Sequence, residues 1–219
     1  MLKVSRPWSV SSVVLCLASC LGTPAVRAQA IPETPLQRQL DRLDLGVTAI
    51  GQITKSVSGT NYLNQPLTQS ASTTVGVLAT LRYTKSPLVG LEANFMQARY
   101  TENFSKYVVG GAQTRANEYS FGYVAHLPNI IGIQPFAAVG AGTMAFHPTA
   151  GGGQGLPYQY RAVYYYNVGV DNSVLSKHFG VRLSLRQAFY KAPDFLTNYL
   201  TIQKQTNTLE PTVGFYLKF

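Results

Sequence analysis

A rhythm of connections narrows the choice of fold more than any other feature of this chain. From Asp44 onward the sequence divides into eight segments in which apolar residues recur at every second position: 44–57, 72–84, 88–101, 114–127, 132–147, 160–175, 179–192 and 206–219. Period two marks a strand with one apolar face. Each segment is long enough to cross a bilayer as a tilted strand. The links between segments alternate in length. Lys85-Ser86-Pro87, the turn 128–131 and Ser176-Lys177-His178 are short, whereas 58–71, 102–113, 148–159 and 193–205 are long and polar. Short turns on one side and long loops on the other, with an even number of strands, are expected of an all-β, eight-stranded antiparallel up-and-down transmembrane barrel.

Composition agrees. Charged residues make up 12% of the chain, half of what soluble domains usually carry. Low charge with no apolar run of helix-spanning length fits strands whose lipid-facing and lumen-facing residues alternate. In segment 114–127, Tyr119, Phe121, Tyr123, Ala125 and Leu127 share one face, and Glu118, Ser120, Gly122, Val124 and His126 the other. In segment 179–192, Phe179, Val181, Leu183, Leu185 and Phe189 oppose Gly180, Arg182, Ser184, Arg186, Ala188 and Tyr190. In segment 72–84, Val75, Val77, Ala79, Leu81 and Tyr83 oppose Thr74, Gly76, Thr80 and Arg82.

Residues 1–30 read as an export signal rather than as structure. Lys3 and Arg6 precede the apolar run Val13–Leu21, and small residues around Ala28 and Ala30 offer a cleavage site. Leu17-Ala18-Ser19-Cys20 is a competing lipoprotein-type box that would make Cys20 a lipidated first residue. Both cysteines, Cys16 and Cys20, lie in this leader, so a chain cleaved after it needs no disulfide. Loss of Lys3, Arg6 and Arg27 takes the formal charge from +9 to +6. The remaining cations are scattered singly, which argues for anionic lipid rather than nucleic acid as their counterpart. Residues 31–43 are expected to be a short periplasmic lead-in, and 44–219 the barrel.

The final segment ends Val213-Gly214-Phe215-Tyr216-Leu217-Lys218-Phe219, with apolar side chains at alternate positions and an aromatic terminus. Such a residue suits the aromatic belt at a membrane interface. Together with Val89-Gly90-Leu91-Glu92-Ala93-Asn94 and the run 135–142, this end resembles the small bacterial outer-membrane β-barrel family that includes OmpA-like membrane domains and opacity-type proteins. The resemblance spans nearly all of 44–219. It implies a bacterial outer-membrane location, contact with outer-membrane lipid and lipopolysaccharide, and insertion by the outer-membrane assembly machinery through Phe215, Leu217 and Phe219. The soluble peptidoglycan-binding domain of some relatives is not seen in this sequence, so a wall-anchoring role is not expected.

Parity turns Asp44, Glu92, Glu118, Asp171 and Glu210 toward the lumen, together with Arg82, Arg182, Arg186 and Lys218. Unpaired charges there would be costly to desolvate, so a paired network that plugs the barrel is expected. A narrow channel for small polar solutes or ions along the same residues is the alternative. A lipid-A-modifying enzyme is a lesser one, because a nucleophilic Ser needs a nearby His oriented by an acid. Only His147 with Glu102 and a loop Ser offers a starting point for that. His126, His147 and His178 fall at opposite rims, so no metal site is expected. In Tyr164-Tyr165-Tyr166 the outer two belong to the aromatic girdle, while Tyr62, Tyr107 and Tyr158 are loop residues available to partners. The glycines of 151–155 read as flexible loop. The expectation is a monomeric, non-enzymatic structural or surface-interaction protein that takes no cofactor and contacts an unknown ligand through its extracellular loops.

Overall fold

The computed structural model describes residues 34–105, 111–173, 176 and 178–219. The leader assigned to 1–30 lies outside them. In chain order the elements are helix α1 (Pro35–Leu40) and strands β1 (Leu43–Thr54), β2 (Val57–Thr60), β3 (Pro66–Ala71), β4 (Thr74–Thr84), β5 (Val89–Phe104), β6 (Ala112–His126), β7 (Ile133–Pro148), β8 (Gln159–Asn172), β9 (Phe179–Lys191) and β10 (Gln205–Lys218). The strands that cross the membrane alternate buried with exposed or half-exposed positions over most of their length, with a break at Met144, Ala145 and Phe146 of β7, which are all buried. The alternation is clearest in β5, where each even-numbered residue from Gly90 to Phe104 is buried.

Eight of the strands close on themselves. β1 pairs antiparallel with both β4 and β10, and β5 with both β4 and β6, so no edge is left open. Closure satisfies every ladder hydrogen bond, which a hydrocarbon environment demands. The cross-strand partners Asp44, Arg82, Glu92, Gly122, Gly140, Tyr165, Ala188, Thr208 and Thr54 trace one full circuit. The circuit returns to β1 ten residues above its start. A stagger of ten residues around eight strands tilts them by about 40° to the axis. A barrel of this size has an interior that side chains can just fill.

The outside is a lipid belt. Leu45, Val47, Val77, Leu81, Leu91, Phe121, Val139, Val168, Leu183, Leu185 and Val213 are all exposed. Aromatic contacts edge the belt: Phe179 stacks on Phe215 at 5.3 Å on the lower side, while Phe95–Tyr119 at 5.2 Å and Tyr166–Phe189 at 5.9 Å mark the upper side. So much contiguous apolar surface would aggregate in water, whereas it matches the hydrocarbon core of a membrane. Above Phe95 and Tyr119 the outward residues turn polar, with Gln97 donating to Asn117 at 3.0 Å. The hydrocarbon-facing parts of β5 and β6 therefore end at the aromatic pair, and their remaining residues rise through the head-group layer and beyond it.

The expected lead-in contains α1, with Pro35 at the first helical position, where its missing N–H costs nothing. Two expectations need correction. The loop expected at 58–71 is largely the hairpin β2–β3, because β5 extends past the end of β4 and pairs with β3 from Gln69↔Phe104 to Ala71↔Glu102. Its turn is held by Asn61 Oδ1, which accepts from the backbone N–H of Leu63 and of Gln65. The loop expected at 193–205 is not a surface excursion. Phe195, Leu200 and Ile202 fold inward and are buried.

Candidate functional site: the filled lumen

From the periplasmic side the lumen begins as a cavity of about 480 Å³ whose lining includes Arg42, Asp44, His126, Gln134, Asp171 and Lys218. Its floor is a five-residue ion cluster. Arg182 holds Asp171 through two bonds, Nε to Oδ1 at 2.7 Å and Nη2 to Oδ2 at 2.9 Å, and reaches Asp44 Oδ1 at 3.2 Å. Arg82 donates to Glu92 Oε2 at 2.9 Å and spans the lumen to Asp171 Oδ2 at 3.4 Å. The ring of Phe136 lies 4.0 Å beneath the Arg82 guanidinium. Two arginines thus share three carboxylates, and planar two-point pairing is the strongest form such contacts take.

Higher up, Arg186 stands between Glu118 and Glu210, with all three side chains no more than 1% exposed. Gln52 Nε2 donates to Glu210 Oε1 at 3.3 Å, and Ser120 Oγ to Glu118 Oε1 at 2.7 Å. Tyr165 joins the two clusters. Its hydroxyl donates to Glu92 Oε1 at 2.8 Å and accepts from Asn94 Nδ2 at 2.8 Å, while its ring carries the Arg186 guanidinium at 4.2 Å. The ring fits because Gly122 and Gly140 face each other across the β6–β7 ladder. A Cβ at Gly122 would meet the Tyr165 hydroxyl at 2.4 Å, and one at Gly140 would meet the ring at 2.6 Å.

Above Arg186 the lumen is filled mainly by apolar side chains. Ile50, Met96, Tyr100, Met144, Phe146 and Tyr190 fill it, and Leu67, Phe104, Phe195 and Leu200 cap it. Polar clasps fasten this crown. Gln69 donates to Glu102 Oε2 at 3.1 Å and to the Pro193 carbonyl at 2.8 Å. Asp194 Oδ1 accepts from Gln159 at 2.6 Å and from Arg161 at 2.9 Å. Both acids stand above the belt. Burial pushes the Glu102 carboxyl up to about 7, only partly opposed by Gln69. For Asp194, burial is outweighed by Gln159, Arg161 and Thr201, which hold it below the usual carboxylate range.

Of the nine residues expected to line the lumen as charges, eight meet in these two clusters. Lys218 does not. It is paired in register with Asp44 at the mouth, is exposed, and makes none of the ion pairs among the described residues. Parity aims it inward, but the last residues of a strand at a rim look onto water. Phe215, Leu217 and Phe219 are exposed on the outer face. Tyr62 and Tyr158 are exposed, Tyr158 stacking on His147 at 4.5 Å, and Tyr107 lies outside the described residues. Glu102 is buried on the inner face of β5 and His147 stacks on Tyr158, so the two do not come together. His126 packs on Phe136 at the mouth, and His178 Nδ1 lies 3.1 Å from the Lys218 carbonyl. Among the described residues no three metal-ligating side chains cluster. Sequence reasoning missed Tyr165, Gln52, Asn94 and Phe136, all of which parity could have turned inward.

No family model and no curated protein matches the sequence. Solved structures do match in shape. Neisserial surface protein A superposes with a TM-score of 0.54 at 11% identity, over 80% of this chain and 97% of its own. The outer membrane protein OprG from Pseudomonas aeruginosa superposes with a TM-score of 0.60 at 13% identity, over 81% and 95%. The fold is that of a small outer-membrane β-barrel. The lipid belt and the closed ladder, on a fold shared with an outer membrane protein, place this barrel in the bacterial outer membrane.

Proposed function

We propose that the protein is a closed, non-conducting and non-enzymatic barrel of the cell envelope that presents a rigid extracellular crown to partners. One observation carries this reading: above the mouth cavity the lumen is occupied by the lower ion cluster, the Arg186 cluster and the largely apolar plug under Phe195 and Leu200. A water-filled path would have to cross a layer packed by Ile50, Met96, Met144, Phe146 and Tyr190, and the mouth cavity stops at Asp44 and Asp171, the carboxylates that Arg182 holds. The crown's apolar underside leaves exposed residues such as Tyr62, Tyr158 and Tyr160 for contact on its outer side. Kinship with OmpA-like or opacity-type proteins, export by residues 1–30, recognition of Phe215, Leu217 and Phe219 by the assembly machinery, and a monomeric state belong to the same proposal.

Conductance of the refolded protein in a planar bilayer tests it. Silence is expected, both for the intact chain and for Arg182→Gln, which opens only the lower cluster. Steady unitary current from the intact chain would replace the closed barrel by a channel. Heat-modifiable electrophoretic mobility shows that the protein under test is folded.

A further inference from the structure

Charge is sorted by face in this barrel. Among the described residues there are eight acids, and seven of them, Asp44, Glu92, Glu102, Glu118, Asp171, Asp194 and Glu210, are buried. The eighth, Asp41, is exposed beside α1 on the periplasmic side. Above the belt Arg161 is answered by Asp194, whereas Lys55, Arg99, Arg115, Lys191 and Lys204 make no ion pair among the described residues. Two of these cations meet on β5 and β6. Reading up the paired outward residues, Leu91 faces Tyr123, Phe95 faces Tyr119, Gln97 faces Asn117, and then Arg99 faces Arg115. The next residue in that row, on β7, is His147, the partner of Arg115.

Two arginines directly opposite in an antiparallel ladder hold their Cβ atoms about 5 Å apart, a pairing that repels unless an anion lies between them. Both side chains are exposed, and neither has a carboxylate in ion-pair range among the described residues. They sit four residues beyond the aromatic pair, about 10 Å higher along the axis at this tilt, which is head-group depth in the outer leaflet. Beside them a depression of about 520 Å³ is lined by Val75, Gly76, Val77 and Gln97 together with both arginines. Apolar below and doubly cationic above, it has the polarity of a phosphorylated lipid.

We propose that Arg99 and Arg115 together bind the phosphates of a phosphorylated glycolipid of the outer leaflet, with one acyl chain lying along Val75 and Val77. Guanidinium forks match phosphate geometry and reach it from the exposed end of each strand. The inference rests on the membrane placement of the barrel and is independent of whether its lumen conducts.

Native mass spectrometry of the full-length folded protein in detergent, titrated with diphosphoryl lipid A, tests the assignment. The double variant R99Q/R115Q is expected to bind about tenfold more weakly or worse, the scale of losing two charge-assisted phosphate contacts. A control, K191Q/K204Q on the β9–β10 side, is expected to bind as the native chain does, and the heat-shifted band confirms that both variants fold. Equal losses in the two variants would reduce the site to a diffuse positive surface and overturn the proposal. Equally tight binding of dephosphorylated lipid A or of phosphatidylglycerol would overturn the phosphate pairing, and displacement by inorganic phosphate alone would overturn the lipid as its source. Current through the barrel, were it found, would leave each of these outcomes readable.

Discussion

Arg182 and Arg186 lie four residues apart on one strand and point into the same lumen, yet they occupy different surroundings. Arg182 pairs with Asp44 and shares Asp171 with Arg82, next to a water-accessible cavity. Arg186 answers two glutamates by itself, sealed between the ring of Tyr165 and an apolar plug. The lower cluster has a second arginine and nearby water to absorb a lost partner. The upper one has neither. The same ion-pair chemistry is therefore tolerant in one storey and unforgiving in the other, because removing one member of a buried pair leaves an uncompensated charge.

The largest expected effect tests that contrast directly. Arg186→Met strands Glu118 and Glu210 together and is expected to cost about 3–5 kcal/mol in denaturant unfolding from detergent. Replacing Arg186, Glu118 and Glu210 together by apolar residues of similar volume is expected to restore most of that loss, since apolar packing often equals a buried ion network. Arg182→Met is expected to cost about 1–3 kcal/mol, because Arg82 still serves Asp171 and the mouth cavity is open to water. A loss as large as that of Arg186→Met would erase the distinction between the storeys.

Two acids of the crown give smaller effects of opposite sign. The folded-state pKa of Glu102 lies above its ordinary value, so its contribution is fullest below about pH 4.5 and is lost as pH rises toward about 7. Asp194 is held below its ordinary value, so its contribution is present above that value and is lost as pH falls through the depressed one. Hydrogen exchange at Ala192, whose N–H donates to the Lys204 carbonyl, reads both. Protection is expected to fall between about pH 5 and pH 8 in the native chain, and Glu102→Gln is expected to flatten that slope. The smallest effect belongs to Lys218→Gln. It is expected to stay within about 0.5 kcal/mol of native, as for exposed side chains generally.

Much of the barrel was legible beforehand because period two is a local property. Val181, Leu183 and Leu185 had to share a face, and Arg182, Ser184 and Arg186 the other, wherever the strand ended up. The hairpin β2–β3 was not legible. Its strands are short and polar, and they exist because β5 overshoots β4 and offers them a partner. Nor was the inward fold of 192–204, whose polar look comes from Asp194, Thr197, Asn198 and Thr201, several of them spent on clasps within the crown. Lys218 shows the limit of parity, which assigns a face but not the depth at which a side chain meets water.

What the amino-acid order determined by itself is the number of membrane-crossing strands, their facing and the side on which the loops lie, since each follows from spacing along the chain. Which charges pair was decided only in three dimensions. Some pairs are ladder neighbours, such as Arg82 with Glu92, Asp171 with Arg182 and Arg186 with Glu210. Others cross the lumen, as Arg82 does to Asp171 and Arg186 to Glu118. Those depend on the ten-residue stagger with which the sheet closes, a property of the whole circuit that no single segment contains.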